Sequence, residues 1–281
     1  MDRIIYPQHI VWHVDVSSTQ DALLCFSKKI AKRIRRGITY LESAGYKFVI
    51  EPVDDTYIDL FFPLYKENIL QKDNPHVFDV KTELQKRATE GFPIEAVSLY
   101  KGNTYLGGVI YRILDEQLTI NYRTFLKEFD VKTPIGASMI ADYFVYKKAI
   151  ELHKSTVSHG RDRNLYGLHS GLGLPLFKLH AGAKPKIRPS KDLVFYSRIS
   201  NDFVGNTVTI TENTAPEAKT ILEQNFHLAK EGVLVMLGTT PGEDIKKAIL
   251  FVKEKNDEIM KKYSYLFENE HFSTDIIEIQ P

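Results

Sequence analysis

The spacing of apolar residues divides the chain into short strands and amphipathic helices. The strongest strand pattern consists of three β-rich runs in succession, at residues 94–100, 104–113 and 117–125. Short polar connections between such runs predict an antiparallel meander. Within the second run, Gly107 and Gly108 indicate a bulge or a close approach of two backbones.

Strands and helices are also predicted along the rest of the chain. β-branched and aromatic runs predict strands at residues 4–16, 46–52, 155–158, 192–199, 207–211 and 233–237. Helical spacing with capping residues predicts helices at residues 20–44, 57–65, 79–89, 138–153, 172–178, 216–230 and 240–263. The tail from residue 267 is acidic and has no clear pattern. This order favours a mixed α+β fold.

Composition narrows the class of protein. The apolar fraction of 43% and the charged fraction of 26% are typical of a soluble globular protein. The net charge of +1 gives no overall field that would attract nucleic acid or a membrane. Cys25 is the single cysteine, so an internal disulfide is excluded and a buried, inert thiol is expected. Neither a signal peptide nor a membrane span is indicated, and the cytoplasm is the expected compartment.

Residues 157–185 form a glycine-rich stretch that suggests an anion-binding loop. A short β-branched run is expected to end at His159-Gly160-Arg161-Asp162, and four further glycines follow. Glycine lets backbone N–H groups approach a ligand, and Arg161, Arg163 and Lys178 add positive charge. The alternative is a strand that leaves a sheet through a glycine-rich turn with its charges in water.

Two other features could bind an anionic ligand. A helix is expected to begin at Gly136-Ala137-Ser138, where small residues leave the first amides open. The helix at residues 20–44 has a basic centre, which is either a solvated face or a patch for a phosphate-bearing ligand. Its cations are Lys28, Lys29, Lys32, Arg33, Arg35 and Arg36.

Three segments carry a resemblance to a known superfamily. They are the basic segment 27–52, the segment 107–151 that contains PIGASMIADYFVYKKAIE, and SHGRDRNLYGLHSGLGLPLFKLHAGAKP. The last is similar to a signature of Gly-Arg, a glycine-containing spacer, Phe-Lys and Gly-Ala, here at Gly160, Arg161, Gly173, Phe177, Lys178, Gly182 and Ala183. The order of elements resembles the GNAT acyltransferase fold, and the details resemble its FemAB branch, which includes BioF2-like acyltransferases.

The resemblance implies an α+β fold with a mixed, mostly antiparallel sheet flanked by helices. It covers roughly residues 4–200. Residues 1–200 would form a GNAT-like region, possibly as two halves at about 1–92 and 93–200, followed by a C-terminal α/β extension at 201–281. The family pattern often has Trp where this chain has Ala181. The strict phosphate-loop pattern of the superfamily is matched in part by residues 132–137.

The implied activity is transfer of an acyl or aminoacyl group to an amine. The favoured donor is acyl-CoA, and aminoacyl-tRNA is the alternative, which the basic helix favours and the neutral net charge disfavours. The acceptor would be an amine of a small molecule, an amino sugar or a peptide. A non-catalytic GNAT-like binding module is the alternative from a different functional class. Whether the protein forms a homodimer is left open by the sequence. No metal is expected, because the histidines lack metal-ligand spacing.

Each candidate residue has a chemical role in this hypothesis. Gly136, Ala137 and Ser138 would present amides to the donor, and Arg161 and Lys178 would bind its phosphates or an acidic acceptor. His159 or Asp162 would orient or deprotonate the amine, with Tyr122 as proton donor to the leaving group. The structural alternatives are a satisfied polar histidine, a core tyrosine and an arginine paired with a carboxylate.

Overall fold

A computed structural model describes most of the chain, and its elements follow the predicted order as far as the strand Thr156–Arg163. The described residues are 5–7, 9–71, 77–126, 133–167, 171–187, 195–197, 232–239, 244–252, 257–267 and 272–278. The strands are β1 Ile5–Pro7, β2 His9–Asp15, β3 Tyr46–Pro52, β4 Ile94–Lys101, β5 Thr104–Ile113, β6 Gln117–Phe125, β7 Thr156–Arg163, β8 Lys184–Ile187, β9 Phe195–Ser197, β10 Val233–Gly238, β11 Lys247–Val252 and β12 Ser273–Glu278. The helices are α1 Lys28–Ser43, α2 Asp55–Leu70, α3 Val80–Thr89, α4 Ala137–Glu151, α5 Gly173–His180, α6 Asp257–Lys262 and α7 Ser264–Phe267.

The largest sheet has seven strands in the order β3-β4-β5-β6-β7-β2-β8. The β3–β4, β4–β5 and β5–β6 pairs are antiparallel, and β6 pairs with β7 in parallel. The predicted meander and the mixed, mostly antiparallel α+β sheet are therefore confirmed. Gly107 and Gly108 lie where β4, β5 and β6 approach closely, because a Cβ on Gly107 would meet the backbone of Thr124.

Two compact units make up the chain. Unit 1 contains Met1–Trp12, Arg161–Leu179 and Lys184–Pro281, and unit 2 contains His13–Gly160 and His180–Ala183. The predicted boundaries at residues 92 and 200 stay predictions.

In unit 2, helices cover both faces of the sheet. One core joins α2 and α3 to β4 and β5 through buried Phe61, Leu84 and Ile110. The other core joins α1 and α4 to the sheet through Leu41, Leu99 and Ile140. Since successive strand residues point to opposite faces, each helix pair covers one face.

Side-chain caps set the helix starts in unit 2. Asp54 and Asp79 cap α2 and α3 by accepting from the N–H groups of Tyr57 and Thr82, at 2.8 and 3.1 Å. The predicted start of the first helix at residue 20 is wrong, because Ala22–Cys25 form a 3-10 turn and Ser27 caps α1.

The predicted end of a strand at His159 is also wrong. β7 continues to Arg163, so His159-Gly160-Arg161-Asp162 is strand rather than loop. Gly160 has a φ of +80°, and a glycine in this conformation lets the strand bend and continue.

Unit 1 contains a second sheet in the order β10-β11-β12. The strand predicted at 233–237 is confirmed as β10, and the helix predicted at 172–178 is confirmed as α5. The helix predicted over 240–263 is wrong at Lys247–Val252, because Ala248–Val252 is a continuous buried apolar run that forms β11, whereas Asp257–Lys262 is helical as α6. The unpatterned tail contains β12, which pairs in parallel with β11. Elements predicted at 207–211 and 216–230 lie outside the described residues.

Candidate functional site

The parallel strands β6 and β7 pair over a short distance. Their register covers Gln117–Thr156, Leu118–Val157 and Thr119–Ser158. Over Ile120 to Phe125, β6 pairs with β5 within the described residues. Among the described residues, the pairing of β6 with β7 is not continued beyond Thr119 and Ser158.

Helix α4 begins at an uncapped turn. Gly136 is its N-cap, with φ −64° and ψ 150°, and no side chain makes a capping hydrogen bond. A Cβ placed on Gly136 would meet nothing within 4 Å, so there is room beside the turn. Ala137 is buried and Ser138 is half-buried in the first turn of the helix. Uncapped amides and the positive end of the helix dipole are suited to an anionic group.

The basic helix α1 reaches this turn. The Nε atom of Arg33 donates a hydrogen bond of 2.7 Å to the carbonyl oxygen of Pro134, two residues before Gly136. Gly37 brings the two helices together, since a Cβ there would lie 2.8 Å from Cδ1 of Ile140. An exposed guanidinium group thus lies at the start of α4, and the sequence predicted neither this contact nor the pairing of the two helices.

A buried polar network lies between α4 and the sheet. Arg123 on β6 donates to Asp142 on α4 at 3.1 Å and lies 3.5 Å from Nδ1 of His159 on β7. Tyr146, one helical turn after Asp142, lies 2.6 Å from Nε2 of His159 and donates to the carbonyl oxygen of Ala181 at 2.8 Å. The network ties α4 to two strands.

The network engages both ring nitrogens of His159. The single hydroxyl hydrogen of Tyr146 is donated to Ala181, so the hydroxyl oxygen accepts from Nε2–H of His159. Nδ1 then carries the lone pair and faces the guanidinium group of Arg123. This arrangement matches the structural alternative for His159, a satisfied buried histidine.

Asp142 is the most unusual member of the network. Its side chain is fully buried, and its Oδ1 has no hydrogen-bond partner among the described residues. Burial raises the pKa of the Asp142 carboxyl above its ordinary value, although the nearby Arg123 guanidinium opposes this. Burial likewise raises the pKa of Tyr146 well above its usual range.

Replacing Arg123 with leucine is expected to lower the free energy of unfolding near neutral pH, because the buried carboxylate of Asp142 loses its cation. The expected loss is about 2 kcal/mol, which is less than for a fully buried pair, because the Arg123 side chain is partly exposed to water. Without Arg123 the pKa of Asp142 in the folded state should rise further. The folded state would then bind a proton that the unfolded state has released, so the stability of the variant should fall as pH rises from about 4. Urea unfolding at acidic and neutral pH measures this difference. An Arg123→Lys variant is the control, and an equal loss at both pH values would contradict the prediction.

Tyr122 lies on the other face of the sheet. Its ring packs against Tyr65 of α2 and Phe78, with ring centroids 5.8 and 6.4 Å apart. Burial raises the pKa of its phenol to about 12. The structure does not bring Tyr122 together with His159, which bonds to α4 on the opposite face.

In unit 1, Asp162 and Lys178 form a buried ion pair. Nζ of Lys178 donates to both carboxylate oxygens of Asp162 at 2.8 Å, and the two side chains are 6% and 7% exposed. Tyr166 donates to the same carboxylate at 3.1 Å, and Trp12 donates to Tyr166. The carboxylate of Asp162 thus neutralises the charge of Lys178, which the sequence hypothesis assigned to an anionic ligand. Arg161 is exposed.

Sequence reasoning missed Arg123, Asp142 and Tyr146. A detectable signal was present, because Asp142 and Tyr146 are polar residues four positions apart on the face of α4 that also buries Met139.

Within the described residues, no cluster of three or more histidine, cysteine, aspartate or glutamate side chains could hold a metal ion. Burial and nearby carboxylates raise the pKa of Cys25 to about 11.

None of the described helices has the length and apolar character that a membrane crossing requires.

Comparison with known proteins finds similar solved structures. No protein-family model and no curated protein matches the sequence. FemX is 12% identical, with a TM-score of 0.47 over 63% of this chain and 59% of FemX. L-PGS from Bacillus licheniformis is 16% identical, with a TM-score of 0.41 over 57% of this chain and 47% of that structure.

A third structure is a tandem GNAT protein from the clavulanic acid biosynthesis pathway. It is 11% identical, with a TM-score of 0.40 over 69% of this chain and 53% of that protein. The chain thus spans between 47% and 59% of the length of these three structures. The sequence resemblance named FemAB and GNAT proteins, and FemX and a GNAT protein are among the structures that the chain is similar to.

Proposed function

We propose that this chain is an N-acyltransferase, which moves an acyl or aminoacyl group from a phosphate-bearing carrier to an amine. One observation carries the proposal. The uncapped start of α4, with Arg33 beside it, comes after β6 in the chain, and among the described residues β6 pairs with β7 only up to Thr119. A phosphate group suits the helix start, and an extended acyl-bearing arm suits the strand edge.

Acyl-CoA is the donor that best fits this arrangement, because its phosphates and its extended arm are joined in one molecule. The amine nitrogen would attack the thioester carbonyl and form the new C–N bond, the C–S bond would break, and the thiolate would leave with the proton released by the amine. Backbone N–H groups along β6 would stabilise the oxyanion, and alignment of the two substrates would lower the barrier.

The side chains proposed as bases are engaged inside the protein. His159 uses both ring nitrogens, and Asp162 accepts from Lys178 and Tyr166. The proposal therefore assigns most of the rate enhancement to positioning and electrostatic stabilisation rather than to a side-chain base. Acyl-CoA thioesters already have a good leaving group, so a strong base is not required.

The proposal is tested by offering donors and looking for products. The protein is screened for thermal shift with acetyl-CoA, longer acyl-CoAs and charged tRNA, and positive donors are incubated with mixtures of amines for detection of new amides by mass spectrometry. A shift with acyl-CoA and an acylated amine support the proposal. Activity with charged tRNA alone supports the aminoacyl alternative, and a binding shift without any product supports the non-catalytic module.

Replacing Arg33 with glutamine is expected to weaken acyl-CoA binding about tenfold, because a charge-assisted hydrogen bond contributes roughly 1.5 kcal/mol or more. The measurement is the dissociation constant from calorimetry. Lys66→Gln is the matched control, since Lys66 is an exposed cation on α2, which packs on the other face of the sheet. Equal affinities for the Arg33 variant and the wild type would remove Arg33 from the proposed site.

A further inference from the structure

Helix α1 presents a concentrated basic face to solvent. Its six cations are exposed and lie within the first nine residues of the helix: Lys28, Lys29, Lys32, Arg33, Arg35 and Arg36. At 100° per residue they cover less than half of the helix circumference. The opposite side is buried through Ile30, Ile34, Gly37 and Leu41. The apolar side thus holds the helix in unit 2, and the basic side, here called the α1 basic face, faces water.

The positive charges on this face have no acidic ion-pair partner in the part of the chain that the structure describes. None of the ion pairs among the described residues involves any of the six cations. The first turn of α1 contains no acidic residue, and Lys28 and Lys29 lie at the positive end of the helix dipole. Cations at this end destabilise a helix, so folding alone does not account for them. An unfavourable arrangement of this kind is typical of a surface that binds a negatively charged partner.

Apolar side chains flank the α1 basic face. Leu24 is 73% exposed and lies four residues before Lys28, and Tyr40 is 53% exposed toward the other end of the helix. A surface cavity of about 300 Å³ beside Tyr40 is lined by Arg35, Arg36, Thr39, Tyr40 and Ser43. Exposed leucine has no favourable role in phosphate binding from water, whereas leucine and tyrosine beside cations are typical of proteins that contact a lipid interface.

We propose that the α1 basic face docks on an anionic phospholipid surface. The six cations would contact lipid phosphates, Leu24 and Tyr40 would enter the headgroup region, and the cavity beside Arg35 and Arg36 would receive one headgroup. The whole chain carries a charge of +1, so the protein without these six cations carries −5. An anionic surface would therefore attract this face and repel much of the rest, which fixes one orientation.

Exposed apolar anchors favour lipid over RNA as the partner. RNA binding to a basic helix needs cations and stacking aromatic rings, and Tyr40 is the sole aromatic residue in α1. A lipid interface uses every feature of the face, including Leu24. The contact is peripheral, because the apolar side of α1 is already buried in the protein.

The test is co-sedimentation of the full chain with vesicles of phosphatidylcholine alone and with vesicles that also contain phosphatidylglycerol. The wild type should sediment with the anionic vesicles and not with the neutral ones. A Lys28→Gln, Lys29→Gln, Lys32→Gln variant should bind roughly 100-fold more weakly, since each cation near such a surface contributes about fivefold. A Leu24→Ser variant should bind several-fold more weakly. The control variant carries Lys47→Gln, Lys66→Gln and Lys86→Gln, which remove three exposed cations outside α1.

Three outcomes would overturn the proposal. The first is the absence of binding to anionic vesicles, and the second is an equal loss of binding in the control variant. The third is unchanged vesicle binding by Leu24→Ser together with complete displacement of the vesicles by single-stranded RNA, which would assign the face to RNA. The triple variant should keep its thermal stability, because cations near a helix N-terminus do not stabilise the helix and their removal therefore costs nothing. Acyl-CoA binding by the same variant is measured in parallel, so failure of lipid docking and failure of the proposed transferase activity give different results.

Discussion

Replacing Lys178 with methionine is expected to lower the free energy of unfolding by about 3–5 kcal/mol, because it leaves a buried carboxylate without its cation. Lys178 donates to both oxygens of Asp162, and both residues are buried. Methionine preserves much of the side-chain volume, so the loss reports on charge rather than on a cavity. Urea unfolding followed by intrinsic fluorescence measures the change.

Lys147→Met is the matched control for this prediction. Lys147 and Glu151 form an exposed pair at 4.0 Å on α4, and exposed pairs contribute little to stability. The double variant Lys178→Met, Asp162→Asn should recover part of the stability, because the unpaired charge is also removed. A Lys178→Met protein of normal stability that fails to bind acyl-CoA would instead support the ligand-binding role predicted from the sequence.

Replacing Gly182 with alanine is expected to destabilise the protein by about 3 kcal/mol or more. Gly182 has a φ of +80°, which costs an ordinary residue about 1–2 kcal/mol. In addition, a Cβ on Gly182 would overlap the backbone carbonyl group of Cys25, which cannot move aside as the end of a flexible side chain can. The steric contact therefore accounts for the larger share of the expected loss. The measurement is again the free energy of unfolding.

Gly45→Ala separates the two contributions. Gly45 has a φ of +81°, nearly the same as Gly182, and a Cβ there would meet nothing within 4 Å. Its replacement should cost about 1–2 kcal/mol from backbone strain alone. If the two variants lose the same stability, the contact with Cys25 does not matter, and the Gly-Ala pair of the signature is explained by backbone conformation only.

Local features of the structure were predictable because their causes are local. The meander of β4, β5 and β6 follows from alternating runs joined by short turns, and Asp54 and Asp79 cap α2 and α3 as their positions indicate. The prediction failed where tertiary burial outweighed local pattern. The capping residues near 240 predict a helix over the run that forms β11, but a continuous apolar segment has no period that separates a buried strand from a buried helix.

The candidate site was predicted in part. Gly136 was expected at the start of a helix with open amides, and it is the uncapped N-cap of α4. Arg33 could not be placed there from sequence, because it is about a hundred residues away along the chain and reaches Pro134 through the packing of α1 on α4. The basic centre of α1 was visible in the sequence, but its exposure to water and the burial of the opposite side of the helix depend on tertiary packing.

The sequence alone determined the order of strands and helices up to β7 and the start of α2 at Asp54, because these depend on neighbouring residues. The tertiary structure decided the partners of the charged and polar side chains. It paired Lys178 with Asp162, surrounded His159 with Arg123 and Tyr146, and left the six cations of α1 in water. Whether a charge binds a ligand or another residue depends on which groups folding brings within a few ångströms and removes from water, and spacing along the chain carries no information about that.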